Sequence, residues 1–142
     1  MTAKPYFLDW DALSADYAEY HQTPGNRACH MLGIPLIMLA LVAWTQRPAG
    51  NPVPWVAALL PVYFLWDLRV AAAMVLEVAA LSAVARILPG GAAAAAFVLG
   101  WVLQFVGHRV FEGRSPAFLS NLIHILVGPA WILRKYVGGR LP

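Results

Sequence analysis

Three polar side chains capable of metal binding or acid–base chemistry recur at four-residue intervals in the stretch Trp101–Ala117. They are Gln104, His108 and Glu112, and they follow an apolar run and precede polar turn residues. On an α-helix, a spacing of four residues places all three on one face, one turn apart. Because lipid offers such groups no hydrogen-bond partners, their presence at the end of an apolar helix predicts a metal or acid–base site at a membrane surface.

The histidines of the chain lie near the ends of the first and last predicted spans or in the C-terminal tail, and none falls in the middle of the second or third span. There are four of them, namely His21, His30, His108 and His124. The first two flank the start of the first apolar run, the third closes the last run, and the fourth lies in the C-terminal tail. Several imidazoles that converge at one face of a membrane can bind a metal ion. The histidines therefore extend the predicted site beyond the Trp101–Ala117 stretch.

The composition indicates an integral membrane protein. Of the 142 residues, 61% are hydrophobic and only 12% are charged, and the mean hydropathy is +0.64, whereas about a quarter of the residues in a soluble domain are charged. The net charge of +3 is scattered, and no basic run with interleaved aromatic residues indicates nucleic acid as a partner. The single cysteine, Cys29, excludes an internal disulfide and a Cys-x-x-Cys metal site. We expect one membrane domain over residues 1–142.

The hydropathy pattern predicts an all-α fold with four transmembrane helices. We expect them at about residues 28–46, 53–66, 70–88 and 92–111, and most of them approach the ~20 residues that a bilayer requires. Residues 9–20 have an apolar stripe at helical spacing, which predicts an N-terminal amphipathic helix on the bilayer surface. The C-terminal tail is apolar but interrupted by His124 and Pro129. We expect it to fold back as an interfacial or re-entrant helix.

The distribution of positive charge predicts the orientation in the membrane. With four spans, one side of the membrane carries eight of the ten Lys and Arg residues, and the other carries only Arg47 and Arg86. Because cytoplasmic loops are enriched in Lys and Arg, we expect both termini and all the histidines at the cytoplasmic face. The N-terminal segment has no apolar core and is not expected to be a signal peptide. The expected location is a bacterial inner membrane, or the endoplasmic reticulum membrane if the source is eukaryotic.

Two longer motifs contain most of these polar residues. The first runs from Tyr20 to Pro35 (YHQTPGNRACHMLGIP), and the second runs from Trp101 to Leu122 (WVLQFVGHRVFEGRSPAFLSNL). Together they resemble the Mpo-one-like family, whose fungal members are 2-hydroxy fatty acid dioxygenases of the endoplasmic reticulum, and the resemblance covers nearly the whole chain. It implies a multi-pass, Fe(II)-dependent membrane enzyme. Such an enzyme uses O2 to shorten a 2-hydroxy fatty acid by one carbon and releases the carboxyl carbon.

The resemblance also implies roles for individual residues. His21, His30 and His108 match the family's motif histidines and are expected to bind iron, and Glu112 matches its motif glutamate, which is expected to be catalytic. Fungal members can carry Gln at the position of His124. They also have an Asp-His-Arg sequence near the end of the third span, of which only the arginine remains here. If that fungal histidine binds iron, His124 is the residue that can replace it as a metal ligand.

The expected chemistry suggests roles for the remaining polar residues. Iron that activates O2 needs nitrogen or oxygen ligands and open positions, and a 2-hydroxy acid can chelate it through its hydroxyl and carboxylate oxygens. Arg27, Arg109 or Arg114 would hold the substrate carboxylate. Gln104 and Asn26 would orient the metal ligands through hydrogen bonds. The acyl chain would lie between helices, in contact with membrane lipid.

Three other interpretations stay open at this point. A zinc-dependent lipid hydrolase would use Glu112 as a general base and would turn over without O2. A haem-binding protein with two histidine ligands would carry electrons and show a Soret band. A membrane scaffold would use its histidines only as interfacial residues. The residue chemistry without the resemblance predicts a metal site at the cytoplasmic face.

Overall fold

The computed structural model describes residues 4–46, 54–119, 121–135 and 137, and its regular structure in these ranges is entirely helical. The α-helices are α1 (Trp10–Glu19), α2 (Pro24–Gln46), α3 (Leu60–Trp66), α4 (Leu68–Ile87), α5 (Gly90–Val106) and α6 (His124–Arg134). Helix α5 continues directly into a π-helix over Gly107–Glu112. Segments of 3₁₀ helix occupy Tyr6–Leu8, Trp55–Leu59 and Ala117–Leu119.

Three helices are long and apolar enough to cross a membrane, namely α2, α4, and α5 with its π-helical end. The second predicted span is instead a short apolar helix, Trp55–Trp66, built from five residues of 3₁₀ helix and seven of α-helix. Its length is roughly 20 Å, against ~30 Å for the hydrocarbon core of a bilayer. Residue 53, where this span was expected to begin, lies outside the described residues, as do Arg47 and Arg140.

The short Trp55–Trp66 helix nevertheless connects the two ends of the helix bundle. Near its start, Val56 packs against a small apolar cluster at one end. That cluster consists of Val42, Ala43, Ala85 and Ala93. At the other end, the Trp66 ring stacks on Trp10 with ring centroids 5.5 Å apart, and the Trp66 indole N–H donates to the Phe7 carbonyl. The chain therefore passes from the Gln46 end of α2 to the end covered by α1.

Helices α1 and α6 pack together over one end of the bundle, called the histidine end because it holds His21, His30 and His108. The larger apolar core lies beneath them and includes Trp10, Leu13, Tyr17, Tyr63, Val70, Met74, Val127, Ala130 and Trp131. Asp9 caps α1 by accepting a hydrogen bond from the Ala12 amide at 3.1 Å. The Arg134 guanidinium joins α6 to α1 by donating to Asp11 and to the Ser14 hydroxyl, each at 3.1 Å. The two short helices thus form one layer above the longer ones.

The last part of the Trp101–Ala117 stretch is wound differently from α5, because Gly107–Glu112 form a π-helix. The sequence spacing predicts one shared face for Gln104, His108 and Glu112, as on an α-helix. In a π-helix the hydrogen bonds run from residue i to i+5, so four residues fall short of one turn. The π-helix ends at Gly113, whose φ of 69° lies in the left-handed region that glycine adopts without strain. The two side chains have different partners, since His108 lies with His21 and His30 whereas Glu112 accepts hydrogen bonds from residues just before α2.

Candidate metal centre

Three buried histidine rings meet at one end of the bundle. His21 comes from the loop before α2, His30 from the second turn of α2, and His108 from the π-helix. One ring nitrogen of each lies within 4.8 Å of the others, and the ring centroids are 4.3, 4.8 and 4.9 Å apart. Their exposed fractions are only 1%, 2% and 2%. Three imidazole nitrogens at this separation can bind one metal ion.

Backbone carbonyl groups determine which nitrogen two of these rings present. His21 Nδ1 lies 2.6 Å from the Tyr17 carbonyl, and His30 Nδ1 lies 3.0 Å from the Asn26 carbonyl. Because a carbonyl oxygen only accepts, each Nδ1 carries the proton and each Nε2 keeps its lone pair. His21 Nε2 and His108 Nδ1 are buried and have no hydrogen-bond partner among the described residues. Metal-binding histidines commonly donate their other N–H to a carbonyl, so this donor set fits a metal ion.

The surroundings of His21 keep its ring neutral. The Tyr17 ring stacks on it with centroids 4.0 Å apart, and the Trp131 ring lies 5.7 Å away on centroids. Burial, followed by the effect of the neighbouring His30, lowers the pKa of His21 to about 2. The ring is therefore uncharged at physiological pH, which is the form that binds a metal ion.

The carboxylate of Glu112 joins the π-helix to the start of α2. Its Oε1 accepts from the Gln22 amide at 2.8 Å, and its Oε2 accepts from the Thr23 amide at 3.1 Å and hydroxyl at 2.8 Å. The Asn26 side-chain amide donates to Oε2 at 3.2 Å and to the Tyr20 carbonyl at 2.9 Å. A negative charge at this position also interacts favourably with the dipole of α2. Both oxygens of Glu112 are thus engaged by the beginning of α2.

Gly107 allows the π-helix to approach α2 closely. A Cβ atom at this position would overlap severely with Asn26 Oδ1 and would lie 3.0 Å from Cys29 Cβ. Asn26 is the residue whose carbonyl orients His30. Because His108 directly follows Gly107, the glycine brings its ring close to the rings carried by the preceding loop and by α2.

A cavity of about 140 Å³ adjoins the three histidines and extends among apolar side chains. Its polar end is lined by Tyr17, His21, His30, Gln104, His108 and His124. Its apolar part includes Ile37, Met38, Leu41, Val56, Leu59 and Leu60. Along α2, the distance from His30 to Leu41 is roughly 16 Å. Leu59 and Ile125 both line the cavity and are 42% and 50% exposed, so the cavity lies next to the outer apolar surface.

The structure places Gln104 and His124 on the cavity wall, outside the three-histidine group. Gln104 is buried, and its Nε2 has no hydrogen-bond partner among the described residues. His124 is also buried, and its Nε2 lies 2.9 Å from Asp16 Oδ2. The ring nitrogens that come within 4.8 Å of one another belong to the other three histidines. His124 therefore shares the cavity with them but is engaged by a carboxylate of α1.

The three arginines predicted to hold a substrate carboxylate lie near the histidine end of the bundle. Among the described residues that line the cavity, none is an arginine. Arg27 Nε donates to the His21 carbonyl at 2.6 Å. Arg114 is exposed and donates to the Glu19 carbonyl at 3.4 Å, and Arg109 is exposed on the π-helix. The structure thus brings positive charge close to the site without placing it inside the cavity.

Sequence reasoning missed three residues that position the site, namely Asp16, Tyr17 and Thr23. Tyr17 stacks on His21 and supplies the carbonyl that orients it, and Asp16 contacts His124. One available signal was the spacing of four residues between Tyr17 and His21. For Asp16 no comparable signal exists, because its partner is 108 positions away along the chain.

Comparison with known proteins identifies the family to which the chain belongs. The sequence matches the family model described as 2-hydroxy-palmitic acid dioxygenase Mpo1-like over residues 7–141, and the chain therefore belongs to the Mpo1-like family. The family predicted from the two sequence motifs is thus confirmed.

A curated relative from yeast matches part of the chain. Over 42 residues the chain is 48% identical to 2-hydroxy-palmitic acid dioxygenase MPO1 of Saccharomyces cerevisiae. The matched segment covers 29% of this chain and 24% of the yeast protein. No solved structure matches the chain.

Proposed function

We propose that this protein is an Fe(II)-dependent dioxygenase that shortens 2-hydroxy fatty acids by one carbon, with O2 as the second substrate. The observation that carries the proposal is the buried three-histidine group at the polar end of an otherwise apolar cavity. Membership in the Mpo1-like family supports the reaction class. The name of the yeast relative supports a 2-hydroxy fatty acid as substrate. Apolar walls with a few polar groups at one end suit an amphipathic molecule such as a fatty acid.

In this proposal His21, His30 and His108 hold the ion, and the surrounding chain keeps their rings in position. When bound, ferrous iron supplies open coordination positions for O2 and for the hydroxyl and carboxylate oxygens of the substrate. The carbonyls of Tyr17 and Asn26 direct the Nε2 lone pairs of two rings away from the backbone. Burial of all three rings excludes water from the site.

The remaining polar residues are assigned supporting roles. Glu112 and Asn26 hold the π-helix against α2 and thereby position His108 relative to His30. Gln104 presents its side-chain N–H groups to the substrate head group, because they have no hydrogen-bond partner among the described residues.

The arginines are assigned to attraction of the substrate carboxylate. Arg27 contributes most, because its Nε contacts the His21 carbonyl. The exposed Arg109 and Arg114 add positive charge at the same end of the bundle.

The proposed topology is a single membrane domain with four traverses, and with both termini and the histidines on the cytoplasmic side. The passage of the Trp55–Trp66 helix between both ends of the bundle supports four traverses. The positive charges support the orientation. At the histidine end these are Lys4, Arg27, Arg69, Arg109, Arg114, Arg134 and Lys135, whereas the other end has Arg86 among the described residues. With 11 residues, α6 is too short to span a bilayer, which supports an interfacial position beside α1.

Cysteine labelling tests the crossing and the orientation of α5 in a Cys29→Ala background. In right-side-out bacterial cells, a membrane-impermeant maleimide should label the Gly91→Cys variant and leave the Ser115→Cys variant unlabelled. Inverted inner-membrane vesicles should give the opposite pattern. Labelling of both positions from the same side would show that α5 and its π-helical end do not cross the membrane, and would contradict the proposed topology.

The metal content of protein purified in detergent without oxygen tests the proposed function. We expect about one iron per chain in the wild type and none in the His108→Ala variant, because only two of the three nitrogen ligands remain to bind the ion. His124→Ala is the matched comparison, since retained iron would exclude it as a ligand. Iron-loaded protein should consume O2 with 2-hydroxypalmitate.

Other results of the same measurement would favour the other interpretations. Stoichiometric zinc with turnover that needs no O2 would favour a hydrolase, and a Soret band would favour a haem protein. Absence of metal even after Fe(II) is supplied would favour the interpretation of the protein as a membrane scaffold.

A further inference from the structure

A fourth histidine forms a separate polar position on the cavity wall. His124 is 3% exposed, and its Nε2 lies 2.9 Å from Asp16 Oδ2. Asp16 Oδ2 also accepts a hydrogen bond from the Tyr6 hydroxyl. The Tyr17 ring lies edge-on to the His124 ring, with centroids 5.6 Å apart. The side chain is therefore held in place by residues of the N-terminal segment and α1.

The contact with Asp16 determines what His124 offers to a bound molecule. A carboxylate only accepts hydrogen bonds, so Nε2 carries a proton, and in the neutral form of the ring Nδ1 then presents a lone pair. Nδ1 is buried and has no hydrogen-bond partner among the described residues. A buried acceptor without a donor is uncommon in folded proteins and calls for an explanation. The cavity that His124 lines can supply the missing donor in the form of a ligand.

Gln104 provides the complementary half of the same wall. Its Nε2 is a buried donor with no acceptor among the described residues, and it lines the cavity together with His124. The two side chains thus offer one hydrogen-bond acceptor and one donor beside the three-histidine group. A 2-hydroxy carboxylate carries the matching pair, because its hydroxyl donates and its carboxylate accepts. An unsubstituted fatty acid has only the carboxylate.

We propose that His124 accepts a hydrogen bond from the 2-hydroxyl group of the fatty acid, and that this contact selects hydroxylated over unsubstituted chains. The proposal rests on the proposed function and specifies which residue recognises the substituent. A site that hydrogen-bonds a substrate hydroxyl disfavours the analogue lacking it, since the protein acceptor is then left buried and unpaired. Asp16 is a positioning residue in this arrangement.

Tyr6 supports the position of Asp16. Partial burial and the neighbouring Asp16 carboxylate raise the pKa of Tyr6 to about 12. The phenol therefore stays protonated at physiological pH and can donate to Asp16. Removal of Asp16 should leave the His124 ring free to rotate or to change its tautomer. Removal of Asp16 should therefore reduce the preference for the hydroxy acid, but less than removal of the His124 imidazole does.

The test compares binding of 2-hydroxyhexadecanoic acid and hexadecanoic acid to protein purified and assayed without oxygen, so that no turnover occurs. His124→Phe keeps a ring of similar size but removes the acceptor, and we expect it to reduce the preference for the hydroxy acid by roughly tenfold. Its affinity for hexadecanoic acid and its metal content should stay unchanged. Asp16→Ala should reduce the preference in the same direction. Asp11→Asn is the matched control, because it removes the other acidic contact between α1 and α6 and should keep the wild-type preference.

The outcomes separate this inference from the proposed function. If both His124→Phe and Asp16→Ala keep the wild-type preference for the hydroxy acid, the role of His124 is refuted and the proposed function stands. Loss of the metal in His124→Phe would identify the residue as a metal ligand and would also refute the inference. If the wild type binds neither acid, or binds both equally, the proposed substrate class fails and the inference fails with it. Thermal melting of each variant reports whether it has folded.

Discussion

Replacement of Glu112 by Gln separates a structural role of this carboxylate from a chemical one. In the wild-type protein its two oxygens accept bonds from the Gln22 amide, the Thr23 amide and hydroxyl, and the Asn26 side chain. Gln keeps one of these oxygens and turns an amide N–H group towards the donors on the other side. Loss of the charge beside the α2 N-terminus costs about 0.3–1 kcal/mol, and loss of hydrogen bonds at a helix N-terminus costs about 0.5–2 kcal/mol.

We therefore expect Glu112→Gln to lower the free energy of unfolding by about 1–2 kcal/mol. For a chain of this size, that corresponds to a Tm roughly 3–10 °C lower, which thermal unfolding in detergent can measure. Because Asn26 both contacts Glu112 and orients His30, metal affinity should also fall by about tenfold. Arg109→Gln is the control for Tm and metal content, since Arg109 is exposed on the same π-helix. Wild-type Tm and metal content combined with lost turnover would refute this reasoning and place Glu112 in the chemical step.

Two further predictions concern the packing of the site and the extent of the cavity. Gly107→Ala should displace Asn26, destabilise the protein by about 1–3 kcal/mol and reduce its metal content. Gly91→Ala is the control, because nothing lies within 4 Å of the new Cβ atom and neither effect is expected. Equal Tm values for the two variants would contradict this prediction. Leu41→Trp should fill the apolar end of the cavity and weaken binding of long 2-hydroxy acids more than short ones. Leu99→Trp, at a side chain 52% exposed on α5, is its control, and an unchanged chain-length profile would show that the acyl chain lies elsewhere.

The helical membrane class and the family could be predicted from the sequence because both depend on local patterns. Long apolar runs predict helices that can cross a bilayer, and three of the four predicted spans have helices of sufficient length. The exception, Trp55–Trp66, begins with 3₁₀ helix and is too short by itself. The sequence already indicated this weakness, because the predicted span 53–66 has only 14 residues and contains Pro54 and Pro61. The motifs around His21 and His108 were sufficient for the family, which the comparison confirms.

The sequence by itself also identified the residue types from which a metal centre can be built and the end of the bundle to which they belong. Only the tertiary structure decided how these residues are grouped. The π-helix directs Glu112 to a partner 90 positions earlier in the chain, and α6 brings His124 to Asp16, 108 positions earlier. The physical reason is that hydropathy and spacing act along one helix, whereas a hydrogen-bond partner is chosen by the packing of elements distant in sequence. The chain's composition thus determined a membrane protein with several histidines, and its packing determined that three of them converge while the fourth lines the same cavity beside Asp16.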